Sequence, residues 1–170
     1  MARKFYQQTT GNDQLRKLEN FLDVGHLFGV VVGTKETTPK KRMLKGSPVR
    51  SRDAVLNLII YRTQAKKGRD PVFLDDKEIA TGNQFWARAM DEAHKGDLNS
   101  FRKIARELAN FFVSCVRKHI DEQRGVGGSL PEPTSERYIE AKKARWGEDA
   151  TKTLYASGQL YDSFYGDIDF

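Results

Sequence analysis

The chain has 170 residues, of which 38% are hydrophobic and 31% charged; that is enough to bury one core and too polar for a membrane protein, with no run near the roughly 18 apolar residues a membrane helix needs. A single cysteine, Cys115, excludes an internal disulfide framework and a cysteine-based zinc site, and it fits a reducing cytoplasm. The net charge of +6 is graded: 11 Lys/Arg against 4 Asp/Glu over residues 1–52, 13 against 11 over 53–124, and 5 against 8 over 125–170, so front and tail suit opposite partners or neighbouring copies of the chain.

Residues 1–11 read as a flexible arm, and the start Met1-Ala2-Arg3-Lys4 runs into polar residues without a signal peptide. Asn12 or Asp13 is placed to cap a short helix carrying Leu15, Leu18 and Leu22, ending before Gly25. The stretch from His26 to Val32 predicts a strand, and its continuous apolar run predicts cover on both faces. Residues 34–52 lack apolar periodicity and contain Pro39, Gly46 and Pro48, which predicts a long basic loop or hairpin. Ser51 or Asp53 caps the next helix, with Ala54, Val55, Leu58 and Ile59 on one face. After the Lys66–Asp70 turn and the apolar Pro71–Leu74 segment, Asn83 is read as the cap of a helix bearing Phe85, Trp86, Ala89, Met90 and Ala93. Asp97 opens the strongest helix: Leu98, Phe101, Ile104, Ala105, Leu108, Phe112, Cys115, Val116 and Ile120 make one stripe over about six turns. Residues 125–135 read as a Gly/Pro linker, and Thr134 or Ser135 starts a helix that stops at Gly147.

Little of this carries catalytic chemistry. Asp75, Asp76 and Glu78 are candidate metal carboxylates, with Lys77 among them, but they match no nuclease spacing and read first as acids favoured by a helix N-terminus. His119 lies near the end of the long helix, where a positive charge suits the dipole, and Cys115 sits on the apolar stripe as a small hydrophobe. Phe111 lies off the stripe and is expected to reach a second element or a neighbouring subunit. The glycines at 125–128 follow a helix rather than opening one, unlike a phosphate cradle. The chain is therefore expected not to be an enzyme and to need no cofactor. The basic loop is different: Lys35, Lys40, Lys41, Arg42, Lys45, Arg50 and Arg52 fall within 18 residues without interleaved aromatics, a composition suited to phosphate-backbone contact and not to base reading.

The C-terminal stretch carries the most specific pattern. Leu154, Ser157-Gly158-Gln159-Leu160 and Ser163-Phe164 resemble the loosely written pattern L-x-[ST]-G-x-L-x-x-S-[IF] of small bacteriophage neck and tail-completion proteins, the minor structural proteins of the head–tail junction. Upstream, Leu58–Thr63, the Lys66–Asp70 turn, Pro71-Val72-Phe73-Leu74 and the two helices that follow are similar to that family's order of elements, so the resemblance spans about residues 54–170. In this pattern Ser157 is expected to cap a short helix, Gly158 to make a close turn, Leu160 and Phe164 to face inward with Leu154, and Ser163 to satisfy a backbone group. Asp167–Phe170 is expected to leave as an edge strand.

The resemblance implies a single α+β domain over residues 1–170: a small, mostly antiparallel sheet packed against the long helix, with extended arms or loops. It implies a virion protein, assembled in the host cytoplasm and built into a ring of identical subunits around the DNA channel. Its partners would be the other neck, connector or tail proteins, with no membrane. Lys40, Lys41, Arg42, Lys45, Arg50 and Arg52 are assigned to DNA or to a neighbour, and Tyr155, Gln159 and Tyr161 to the subunit interface. The alternatives are a stand-alone DNA-binding protein using the basic loop, a metal-dependent nuclease using Asp75, Asp76 and Glu78, and a neighbouring role such as tail terminator.

Overall fold

A computed structural model describes residues 29–37, 52–132, 135–155 and 157–169. The arm at 1–11, the helix expected after Asn12, and Lys40, Lys41, Arg42, Lys45 and Arg50 of the basic loop lie outside the described residues. The described elements run β1 (Gly29–Thr34), α1 (Ala54–Ala65), α2 (Asp76–His94), α3 (Leu98–Asp121), β2 (Arg124–Gly125), β3 (Gly128–Ser129), α4 (Glu136–Trp146), a 3-10 turn (Glu148–Thr151), α5 (Gln159–Ser163) and β4 (Phe164–Asp169).

The long helix α3 is the axis. Asp97 caps it, its carboxylate accepting from the backbone N–H groups of Asn99 and Ser100. Helix α2 folds back along one side: Ala89 and Ala93 pack with Phe101, Ile104 and Ala105, and Gly82 faces Phe112 farther from the turn. The off-stripe Phe111 reaches this second element, its ring 5.6 Å from that of Phe85. Helix α2 begins at Asp76, eight residues before the start expected with Asn83 as its cap. The reason is a capping box: Asp75 accepts from the N–H of Glu78, while Glu78 accepts from the N–H of Asp75.

Strands β1 and β4 pair antiparallel, with Val32 opposite Gly166, and lie across α3. This is the α+β arrangement the sequence implied, a small antiparallel sheet on a long helix. The approach is closest at Gly166, where an added Cβ would stand 2.7 Å from the Ala109 carbonyl carbon; only a residue without Cβ fits. Val113, Val116 and Ile120 of α3 join Leu160 and Phe164 to form the second core cluster, each large side chain stabilising the fold by roughly 1.5–3 kcal/mol. Cover on both faces of β1 is not observed: Val31 is 42% exposed, because the sheet among the described residues is a two-stranded ribbon with a helix on one side.

The expected linker at 125–135 is also corrected. Its first residues form the tight hairpin β2–β3, tied down by the Val126 N–H donating to the Asp70 carbonyl at 3.0 Å. The two ends of the basic loop are held together. Thr37 and Arg52 exchange both backbone hydrogen bonds at 2.9 Å, and the Asn57 side chain, fully buried on α1, donates to the Lys35 carbonyl and the Thr37 hydroxyl.

Candidate functional site

Three arrangements merit a chemical reading, beginning with the C-terminal pattern. Gly158 takes φ +75 and precedes α5 as its N-cap, a conformation that favours glycine. The Ser157 hydroxyl does not cap the helix as expected; it lies 3.1 Å from the Gln159 side-chain carbonyl. Leu160, Ser163 and Phe164 are buried, and the Ser163 hydroxyl donates to the Leu160 carbonyl at 2.7 Å. Leu154 packs on the same cluster from a left-handed backbone at φ +67. Arg117 locks the passage from α5 into β4, donating to the Phe164 carbonyl at 3.0 Å.

Of the three residues assigned to an interface, Tyr155 and Tyr161 sit partly exposed, their rings edge-on at 5.1 Å. The Tyr161 hydroxyl donates to Asp121, and burial followed by that bond pushes its pKa up to about 12. Gln159 is placed differently from the expectation: it is buried, with its Nε2 3.4 Å from the Thr37 carbonyl, so it links the pattern to the base of the basic loop.

The second arrangement is a buried cluster at the start of α2. His119 is fully buried, stacked on Phe73 with ring centroids 4.0 Å apart. Its Nδ1 meets the Pro71 carbonyl at 3.0 Å, and a carbonyl only accepts, so Nδ1 carries a proton. Its Nε2 faces both Glu78 carboxylate oxygens at 3.1 Å. Burial pushes the Glu78 carboxyl up, but the Asp75 N–H and the His119 charge outweigh it and hold Glu78 below the ordinary value. Lys118 adds a cation 3.5 Å from Glu78, and Arg124 pairs with Asp75 at 3.1 Å. Asp75 is held low by the Glu78 N–H and then by Arg124.

The residues that converge here are Asp75, Glu78 and His119, with ligand atoms within 4.8 Å of one another. Asp76, expected alongside them, stands exposed outside the group. A metal ion would have to displace Arg124 from Asp75 and break the His119–Glu78 contact, since each of these side chains already has a partner. The arrangement does one thing well: it neutralises charge internally while fixing the start of α2 against the end of α3. His119, expected simply to suit the helix end, is thus also the buried hydrogen-bonding partner of Glu78. Cys115 is buried as expected, and burial pushes its thiol up to about 11.

The third arrangement is a cavity of about 230 Å³ between α1, α4 and the 153–160 segment. Arg52, Arg69 and Lys142 line it with Tyr138, Trp146 and Gly158. Arg52, at the end of the basic loop, therefore faces this cavity. No local sequence pattern marks the cavity, because its three cations come from positions 52, 69 and 142. Comparison with protein-family models, with curated proteins and with solved structures returns no match for this chain.

Proposed function

We propose that the protein is a bacteriophage head–tail junction protein of the neck or tail-completion kind, built into a ring of identical subunits around the DNA channel. The observation that carries this reading is that the residues of the resemblance build the turn and short helix that lead into the sheet: Gly158 makes the turn, Leu160, Ser163 and Phe164 are buried, and the chain passes directly into β4. A pattern used this way fixes a platform and not a catalytic centre.

The platform suits ring building. Among the described residues neither outer edge of the β1–β4 ribbon is paired, and an open edge invites strand addition by a neighbour. Val31 and Tyr165 are exposed on the ribbon, and Val55 and Ile59 on α1. A closed ring needs two different surfaces on each subunit, which the basic front and acidic tail supply.

The DNA-binding reading keeps one supporting observation. The Thr37–Arg52 bridge and Asn57 gather the two ends of a segment whose residues 38–51 contain five Lys/Arg and no acid. In a ring that segment would meet DNA without sequence preference.

The test is mass spectrometry of purified virions of the encoding phage or prophage, joined to cryo-EM of the head–tail junction. The expected result is a ring of this chain between portal and tail. Absence from the particle sinks the reading; salt-sensitive DNA affinity of the free chain would then favour the alternative.

A further inference from the structure

The cavity beneath the C-terminal turn differs from the buried cluster at the start of α2, because its charge is all of one sign. Lys142 is 5% exposed, and its Nζ donates to the Lys152 carbonyl at 3.3 Å, a neutral partner. Arg69 donates to the carbonyls of Pro131 and Glu132 and to the Gln64 side chain, again all neutral. Arg52 is half-buried, and among the described residues no carboxylate pairs with any of the three. One carboxylate, that of Asp162, stands near Gly158 at the edge, outside the lining.

The cost of this arrangement is visible in the cations themselves. Burial, and then repulsion from Arg69, lowers the Lys142 pKa, and burial lowers that of Arg52. A second, independent observation comes from Trp146. Its ring lines the same cavity, and its indole Nε1 is shielded from solvent and has no hydrogen-bond partner. A buried donor left unmade costs about 1–3 kcal/mol, so it calls for an acceptor.

We propose that this cavity binds a phosphate group, held by Lys142, Arg52 and the Trp146 N–H, with Arg69 supplying the third charge. Donors arrive from three separate stretches of chain: the start of α1, the turn after it, and α4. Such a spread suits a tetrahedral dianion with oxygens in several directions better than a planar carboxylate. The volume admits one phosphate with a small substituent. A terminal phosphate monoester and inorganic phosphate share this chemistry; the phosphodiester of a DNA backbone brings a single charge and too much bulk. The inference stands independently of the head–tail reading.

The experiment uses the full chain carrying Trp86→Phe, which leaves Trp146 as its one indole, and follows fluorescence as inorganic phosphate is added. Saturable change is expected, together with a rise in melting temperature that sodium chloride of equal ionic strength does not reproduce. Trp146 cannot report in its own variant, so affinity in Lys142→Met and Trp146→Phe is read by calorimetry. Lys142→Met should weaken binding by about tenfold, the size expected for one charge-assisted hydrogen bond. Trp146→Phe keeps the packing and removes only the N–H, so it serves if Lys142→Met does not fold; a severalfold loss is expected. A 5′-phosphorylated mononucleotide and an oligonucleotide lacking terminal phosphates separate the sources. Binding of phosphate or the mononucleotide supports the site. No saturable response, an equal response to chloride, unchanged affinity in both variants, or binding of the unphosphorylated oligonucleotide alone would overturn it.

Discussion

Two regions of this molecule bury charge, and they do so in opposite ways. At the start of α2, Glu78 and Asp75 meet His119, Lys118 and Arg124, so each buried charge has a counterpart. Under the C-terminal turn, Lys142, Arg52 and Arg69 face one cavity with carbonyls and a side-chain amide as their protein partners. A buried charge is tolerated when another charge or a set of hydrogen bonds replaces water. The first region completes that replacement within the chain. The second leaves it incomplete, which is the physical signature of a site that expects something from outside.

The contrast predicts opposite responses to removing one charge. Glu78→Ala leaves the fully buried His119 Nε2 without its partner and also removes half of the capping box, so chemical denaturation should show a loss of about 3–5 kcal/mol. Replacing both partners, Glu78→Met with His119→Leu, should cost less than Glu78→Ala alone, because no polar partner is stranded. A double-mutant cycle measures that coupling, and additive losses would show that the pair is not a unit.

The same pair sets an acid limb. Glu78 titrates below its ordinary value of 4.5 in the folded chain. Its contribution to stability is therefore present above that value and is lost as pH falls through the lowered one. Urea midpoints measured between neutral pH and pH 3 should fall in the native chain and fall less steeply in Glu78→Gln. The smallest effect belongs to the cavity and has the opposite sign. Lys142→Met removes a desolvated cation, so in phosphate-free buffer stability should stay level or rise by up to about 1 kcal/mol. A loss of several kcal/mol would mean that Lys142 holds the fold together and that the two regions are alike.

How much of this was legible in the sequence depended on range. The α3 stripe was readable because its residues repeat along one helix, and Leu160, Ser163 and Phe164 because a short local pattern carries them. The capping box was equally local; Asp75 with Glu78 three residues on was the available signal for the true start of α2. His119 was not legible as the buried partner of Glu78, since the two lie 41 residues apart and a lone histidine near a helix end has a simpler reading. Asn57 was hidden for the same reason, its acceptors being 20 and 22 residues distant. The hairpin at 124–129 was missed because glycine-rich turns and glycine-rich linkers share a composition.

The pairing of β1 with β4 also imposes an order in time. Val32 must wait for Gly166, about 130 residues later in the chain, before its strand has a partner. At the usual pace of synthesis, about 5–20 residues per second, that interval lasts roughly 7 to 26 seconds. Until it ends, the ribbon offers no formed edge to a neighbour, and helix α3 lacks the cover that Phe164 and Gly166 bring to Val113 and Ala109. A chain cut before Phe164 therefore lacks both the ribbon and the cover of α3, and the two arrive together only once β4 has been translated.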